Sequence, residues 1–456
     1  MRKKLWIGFV VLALATTVSI SMDTMPDSKE KKTMFSNADK AKYNFNNPLP
    51  WLEMGADIRF RMIRERARKL DNNKNSDDRF WQRYRARIWT KMHLADDLDF
   101  NMRFVIEPRY YSRRDDLDHR FIRHEGLFDR FNVELKNVFG LPLTAKIGRQ
   151  DLQLGSKWLI LEGTPLDGSR SVYFDAARFT FDLDELGSTL DLIWVDNHAD
   201  SGKWLKPFND RDIDIVEQDE RGLIAYLSNR SNKDIQIDGY FIYKNDHNRN
   251  KDNGSEGNIY TLGVMLKGNI NDNWQYQIEA APQFGHKNGK KLSAFGSNNK
   301  ITYSLHDKMD NTFHIGYEYL SGSTDPDRHF DRLWARESRY SDLYNGCIDA
   351  IDGRELDGSN LHRPNLGWSF RPTDKMQIIT EYSLLFADKN TKDAGTNGMS
   401  KHGKFRGQLA KLQIKYKFNK HVHNRFTAEL FLPGNFYNSD RNDVAMFFRY
   451  GIVFTW

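Results

Sequence analysis

From residue 51 to the final Trp456, apolar and polar side chains alternate in one segment after another, with almost no sustained helical period. A strand turns successive side chains to opposite faces, so each segment reads as a two-faced strand. Residues 79–93, RFWQRYRARIWTKMH, put Arg79, Arg83, Arg85, Arg87 and Lys91 on one face. Phe80, Tyr84, Ala86, Ile88 and Met92 take the other, and Trp81 and Trp89 interrupt the basic side. Residues 52–63 set Leu52, Met54, Ala56, Ile58, Phe60 and Met62 against Glu53, Asp57, Arg59 and Arg61. In residues 98–111, Leu98, Phe100, Met102, Phe104 and Ile106 oppose Asp99, Arg103, Glu107 and Arg109. Segments of this kind continue to the C terminus, about 18 in all, an even number as expected of a bacterial outer-membrane barrel.

The connections alternate in length. Short ones, such as 95–97, 139–142, 184–188, 269–273, 372–374 and 419–420, separate long polar ones such as 67–78, 112–127, 152–171, 199–219 and 321–361. A barrel with one rim in the periplasm and the other outside the cell produces this phase. A soluble sandwich has no reason to keep it. The last segment alternates Met446, Phe448, Tyr450, Ile452, Phe454 and Trp456 to the end of the chain. Left as an edge, such a strand invites aggregation, and pairing it with the first strand removes the edge. The expected fold is therefore all-β: a transmembrane antiparallel up-and-down barrel with short periplasmic turns and long extracellular loops.

Mean hydropathy is −0.71, which fits such a barrel because half of each strand faces water. The start, MRKKLWIGFVVLALATTVSIS, has a basic head, an apolar core over 5–15, and Ser19 and Ser21 before a cut at 22. Residues 1–21 are expected to be a secretory signal peptide, 22–50 a flexible periplasmic lead-in, and 51–456 the barrel. The formal charge of +6 includes Arg2, Lys3 and Lys4 of the leader, so the excess is mild and points to no nucleic-acid partner. The lone Cys347 excludes an internal disulfide framework and a cysteine metal cluster.

With apolar faces toward lipid, the opposite parity lines a lumen. An 18-strand barrel is wide enough for that lumen to be a channel. Arg59, Arg61, Arg83, Arg85, Arg87, Arg103 and Arg109 come from the first three strands. Lys411, Arg425 and Arg449, with Lys415 and Lys417, come from the last three. Closure brings the two sets side by side into one basic wall, diluted by Glu53, Asp57, Glu107 and Glu429. The opposite wall carries Asp238, Glu279, Glu318 and Glu381. Guanidinium groups match carboxylates and phosphates, and a basic wall in a narrow lumen focuses anions.

The stretch 147–181, IGRQDLQLGSKWLILEGTPLDGSRSVYFDAARFTF, resembles the alginate-export outer-membrane porins. The matching residues are Gly148, Arg149, Gln150, Trp158, Asp167, Gly168 and Arg170, and the preceding 128–150 resembles the strands that enter this motif. The resemblance implies a barrel that passes an anionic polyuronate across the outer membrane of a Gram-negative bacterium. It also implies Arg149 and Arg170 as pore or substrate residues, with loop 152–171 folding inward. Ending on an aromatic resembles the signal read by the barrel-assembly machinery. The alternative reading is a general or small-anion porin without polysaccharide specificity.

No P-loop, G-x-S-x-G, H-E-x-x-H or dinucleotide fingerprint occurs, so no enzyme and no cofactor are expected. The aspartates of 325–332 (DPDRHFDR) and 349–358 (DAIDGRELDG) suit loop-bound calcium in chemistry but lack EF-hand spacing.

Overall fold

The computed structural model describes residues 43–71, 78–113, 120–122, 126–161, 173–200, 203–208, 218–248, 254–335, 340–352, 358–391 and 399–456. Both the leader and most of the lead-in therefore lie outside the described residues. The strands are β1 (Leu52–Arg66), β2 (Arg79–Ala95), β3 (Leu98–Ile106), β4 (Arg109–Arg113), β5 (Arg120–Ile122), β6 (Leu127–Leu135), β7 (Leu143–Gln150), β8 (Phe174–Leu183), β9 (Ser188–Asn197) and β10 (Asp219–Asn229). They continue as β11 (Ile235–His247), β12 (Gly257–Asn269), β13 (Trp274–Lys287), β14 (Lys290–Ser304), β15 (Thr312–Leu320), β16 (Leu361–Thr373), β17 (Met376–Phe386), β18 (Phe405–Lys417), β19 (Val422–Pro433) and β20 (Ala445–Thr455). A helix, α1 (Asp342–Asp352), stands in the longest loop.

Both β3 and β4 pair with β2, while β6 pairs with β3 and β5 with β4. Each of these two couples is one wall strand broken by an interruption. Pro108, between β3 and β4, has no N–H for the ladder. The wall thus has 18 antiparallel strands. It closes where β20 pairs with β1, Phe454 opposite Ile58 and Phe448 opposite Arg64.

Register confirms the parity. On β1, Asp57, Arg59, Arg61, Ile63 and Glu65 are buried, while Ile58 and Met62 are exposed. A belt of exposed apolar side chains runs round the outer face and includes Leu192, Trp194, Leu223, Leu262, Ile278, Ile315 and Leu366. Aromatic rows edge this belt. Tyr243, Tyr260 and Phe284 stack near the long-loop rim, and Trp274 meets Tyr303 near the short-turn rim. Trp274 and Phe284 lie on the same strand, β13. At about 3.3 Å per residue and a tilt of about 40°, their separation along the barrel axis is about 25 Å, the height of a hydrocarbon belt.

The alternation over 301–306, which can be followed back toward Leu292, belongs to β14, running from Lys290 to Ser304. The β13–β14 connection on the long-loop rim is a two-residue turn, Asn288–Gly289, with φ of 50° and 76°. Positive φ at both positions is the hairpin turn that Asn-Gly favours. Length alternation fails there because a tight turn is geometrically allowed on either rim.

The compact core lies inside the barrel, in its extracellular half. Loop residues Leu152, Leu154, Trp158, Leu159 and Ile160 pack with Phe330, Leu333, Trp334, Tyr340, Leu343, Tyr344 and Cys347. Inward wall residues such as Ile63, Ile193, Ile224, Ile242, Leu292 and Phe431 complete this cluster. Of the loop 152–171, residues 152–161 therefore fold inward, as expected, and 162–171 lie outside the described residues. The described residues of the long polar connection 321–360 supply the larger part of the plug.

Candidate functional site: a plugged lumen with a basic vestibule

The plug is fastened to the wall by polar contacts inside the apolar cluster. Trp158 donates its indole N–H to Glu318 (3.0 Å), and Trp334 donates to Glu220 (3.0 Å). Ser156 donates to Glu279. Lys287 meets Asp331 at 2.8 Å, and Gln283 bonds the Asp331 backbone in both directions. Glu429 accepts from Ser341 (2.5 Å) and from the Leu343 N–H (2.9 Å), and Arg449 meets Asp342 at 3.0 Å. A buried carboxylate needs such donors to offset its lost hydration. The acidic wall read from sequence is thus a docking wall: Glu279 and Glu318 hold the plug, and Arg363 bridges Glu318 (3.0 Å) and Glu381 (3.1 Å) under Tyr340.

Burial pushes His329 of the plug down to about 4, and neighbouring Arg406 and Lys287 act in the same direction. Burial alone would raise the Asp331 carboxyl, but Lys287 and Lys244 hold it well below the usual carboxylate range. For both groups the folded value is depressed. Docking is therefore fully supported above the free values and weakens as pH falls. For His329 that window runs from 6.5 down to about 4. The shift is worth about 3 kcal/mol at the acidic end. Acidification from pH 7 to 4 is thus expected to raise single-channel conductance in a planar bilayer, and His329→Gln is expected to flatten that rise.

Beneath the plug, toward the short-turn rim, the lumen opens into a cavity of about 700 Å³. Its lining includes Arg59, Arg61, Arg85, Arg87, Arg371, Lys375, Lys415, Lys417, Arg425 and Arg449, against Asp57 and Asp374. Trp89 stands among them. Its indole lies against Gly55, where an added Cβ would come within 2.3 Å of the ring. Internal pairs restrain part of the basic wall. Arg59 bonds Glu107 at 2.7 Å, Arg85 bonds Asp57 at 3.1 Å, and the Arg87 Nε donates to Asp57 at 2.7 Å. Ten cations and two carboxylates line this surface, and Glu107, Asp310 and Asp342 reach Arg59, Arg371 and Arg449 from outside the lining, so the pairs stiffen a wall that stays net positive.

The sequence-derived residues divide into groups. Arg59, Arg61, Arg85, Arg87, Arg425 and Arg449 converge on the cavity. Arg83, Arg103, Arg109 and Lys411 lie outside its lining. Arg83 stands 3.9 Å from Glu107, and both Arg83 and Arg109 lie over the Trp81 ring. Arg103 is taken up by Asp129 (2.7 Å) and Asp151 (2.9 Å). Lys411 meets Glu429 (3.4 Å) and donates to the Tyr340 carbonyl (2.9 Å) beneath the plug. Arg170 lies outside the described residues.

Arg149 is a correction. It shares parity with Ile147 and stands opposite Asp175, on the side of the wall where Ile147 and Phe179 are exposed. It therefore points away from the lumen. Its guanidinium grips Asp175 (2.9 and 3.1 Å), donates to the Phe128 carbonyl (3.0 Å), and lies 3.6 Å from the Tyr173 ring centroid. Trp204 covers it from the next long loop and packs on Phe131. Gly148 beside it has φ 119°, and a Cβ there would meet the Phe131 carbonyl at 2.5 Å. The Gly-Arg pair clamps two loops to the outer wall. Arg149→Ala is expected to destabilise the barrel by about 3–5 kcal/mol by stranding Asp175. Its reversal potential is expected to stay unchanged, which separates a clamp from a pore residue.

Arg371, Lys375 and His423 also line the cavity and escaped the sequence reading because they sit at strand ends, where alternation fades. A second basic patch, with Arg230, Lys233, Lys267 and Lys300 against Asp234, lines a cavity of about 600 Å³ on the far wall. The aspartates of 325–332 are taken up by lysines: Asp325 and Asp327 face Lys290, and Asp331 faces Lys287. Residues 353–357 lie outside the described residues.

The alginate export family model matches residues 50–450 of the chain. None of the curated proteins compared matches it. Among solved structures, OpdQ of Pseudomonas aeruginosa aligns with a TM-score of 0.56 at 13% identity, covering 91% of this chain and 99% of that one. OccAB4 of Acinetobacter baumannii gives 0.55 at 11%, over 89% and 98%. The outer membrane protein opdK from Pseudomonas aeruginosa gives 0.55 at 10%, over 90% and 99%. At such identities the likeness is one of fold. With the family match spanning nearly the whole barrel, and with a closed wall that carries an apolar belt outside and charge inside, this chain belongs to the alginate export family and forms an outer-membrane channel.

Proposed function

We propose that this barrel passes an anionic polysaccharide of the alginate type, with the basic vestibule as its recognition surface. The observation that carries the reading is the excess of cations over carboxylates around one lumenal cavity, ten against two in its lining and ten against five with the outside partners of Arg59, Arg371 and Arg449 counted. Arginine forks bind carboxylates in two-point fashion and stay charged at any relevant pH. A repeating uronate presents one carboxylate per sugar, so several cations engage one chain and their attractions combine. Trp89 adds an apolar surface beside these cations, suited to the C–H face of a sugar ring and of no use to an inorganic anion.

The test is calorimetric titration of the detergent-solubilised protein with an alginate oligosaccharide and with a neutral oligosaccharide of equal length. Saturable, salt-sensitive binding of the first alone is expected. Equal or absent binding of both would leave a small-anion porin as the better reading. Trp89→Ala is expected to weaken oligosaccharide binding about tenfold, the scale of one lost ring contact. It should leave the reversal potential in a salt gradient unchanged.

A further inference from the structure

The plug and the vestibule share one residue. Arg449 lines the basic cavity, and its guanidinium also holds Asp342, the first residue of α1, at 3.0 Å. Of the plug anchors described above, only this one borders the cavity. Glu429, Asp331 and Lys287 are buried and lie outside the cavity lining. The Asp342 side chain is 33% exposed, whereas that of Arg449 is 3% exposed. The arginine is therefore fixed in the wall, and the carboxylate is the more hydrated partner of the pair.

We infer that Arg449 is a carboxylate-binding position which Asp342 fills while the lumen is empty, and that a substrate carboxylate entering the vestibule exchanges with Asp342, removing one anchor of the plug and shifting it toward the open state. The chemistry is like for like: one carboxylate replaces another on the same guanidinium, so Arg449 is never left unpaired. Displaced Asp342 returns to water at little cost because it is already partly hydrated, and at the start of α1 its charge still faces the favourable helix end. Neighbouring Arg59, Arg61 and Arg425 give the incoming polyanion the further contacts that let it compete with a tethered carboxylate. The plug thus carries a stand-in for the ligand, and a neutral or monovalent solute lacks the charge to displace it.

This inference rests on the polysaccharide reading, and the experiment separates the two. Wild type, Asp342→Asn, and the charge swap Asp342→Arg with Arg449→Asp are compared in planar bilayers, each first shown folded by heat-shifted migration. Wild type is expected to conduct weakly and to open when an alginate oligosaccharide is added on the short-turn side. Asp342→Asn is expected to raise the ligand-free open fraction about tenfold, the scale of one charge-assisted contact, and to gain nothing further from the oligosaccharide. The swap is expected to lose the response to the oligosaccharide, because the wall no longer offers a guanidinium there. Unchanged ligand-free conductance in Asp342→Asn would overturn the exchange, as would equal opening of wild type and Asp342→Asn by the oligosaccharide. Calorimetry tells the two failures apart. Binding with no opening refutes the exchange alone, whereas no binding refutes the polysaccharide reading and the exchange with it.

Discussion

Replacing Arg87, Lys415 and Arg425 together by glutamate is expected to remove most of the channel's preference for anions. All three line the vestibule and none is fully buried, so the replacements meet water rather than a closed core. The surface then carries seven cations against five carboxylates in place of ten against two, counting the same lining residues. A field focused by low-dielectric walls sets the local ratio of anions to cations exponentially, so each change of about 1.4 kcal/mol in ion energy moves that ratio tenfold. The permeability ratio is expected to fall by at least about tenfold, and the effect should shrink as salt rises. Lys415 and Arg425 face each other across the β18–β19 ladder, so their mutual repulsion is relieved only if both are changed. Neutral replacements at the same three positions should give an intermediate result, which separates charge from packing.

Deleting residues 322–359 and joining β15 to β16 by a short turn is expected to raise single-channel conductance severalfold. The wall does not depend on that loop. The β15–β16 ladder runs from Thr312 opposite Ser369 to Leu320 opposite Leu361, and closure is made by β1 and β20. What the deletion removes is the larger part of the plug's own apolar side chains, including Phe330, Leu333, Trp334, Leu343 and Tyr344. Inward residues such as Ile224 and Leu292 become wet, so heat-shifted migration should occur at a lower temperature. The channel should nevertheless insert and conduct. Selectivity should remain anionic, because the vestibule lies on the other side of the plug.

Much of the wall was legible before any coordinates. Period-two alternation is set by strand geometry itself, and a slip by one residue would turn every apolar side chain into the lumen. Parity therefore placed Arg59, Arg61, Arg85, Arg87, Arg425 and Arg449 on the inner face. Chain order brought the first and last strands together. The interior was less legible. Residues such as Trp158, Trp334 and Tyr344 are in loops whose overall composition is polar, and nothing in a loop's periodicity says that a few aromatics will fill a barrel. Glu279 and Glu318 looked like a counter-charge to the arginines because parity gives a face and no partner. Arg149 failed for a related reason: a motif match names a residue but not its side of the sheet. The positive φ at Gly148 and the aromatic cover of Tyr173 and Trp204 are tertiary facts.

The central claim is that ions crossing this barrel pass a net positive vestibule. The most direct measurement is the reversal potential of the purified wild-type protein in a planar bilayer under a potassium chloride gradient. A potential displaced toward the chloride equilibrium value is the predicted result, and its displacement should diminish in the glutamate triple variant. A wild-type potential displaced toward the potassium value would contradict the account.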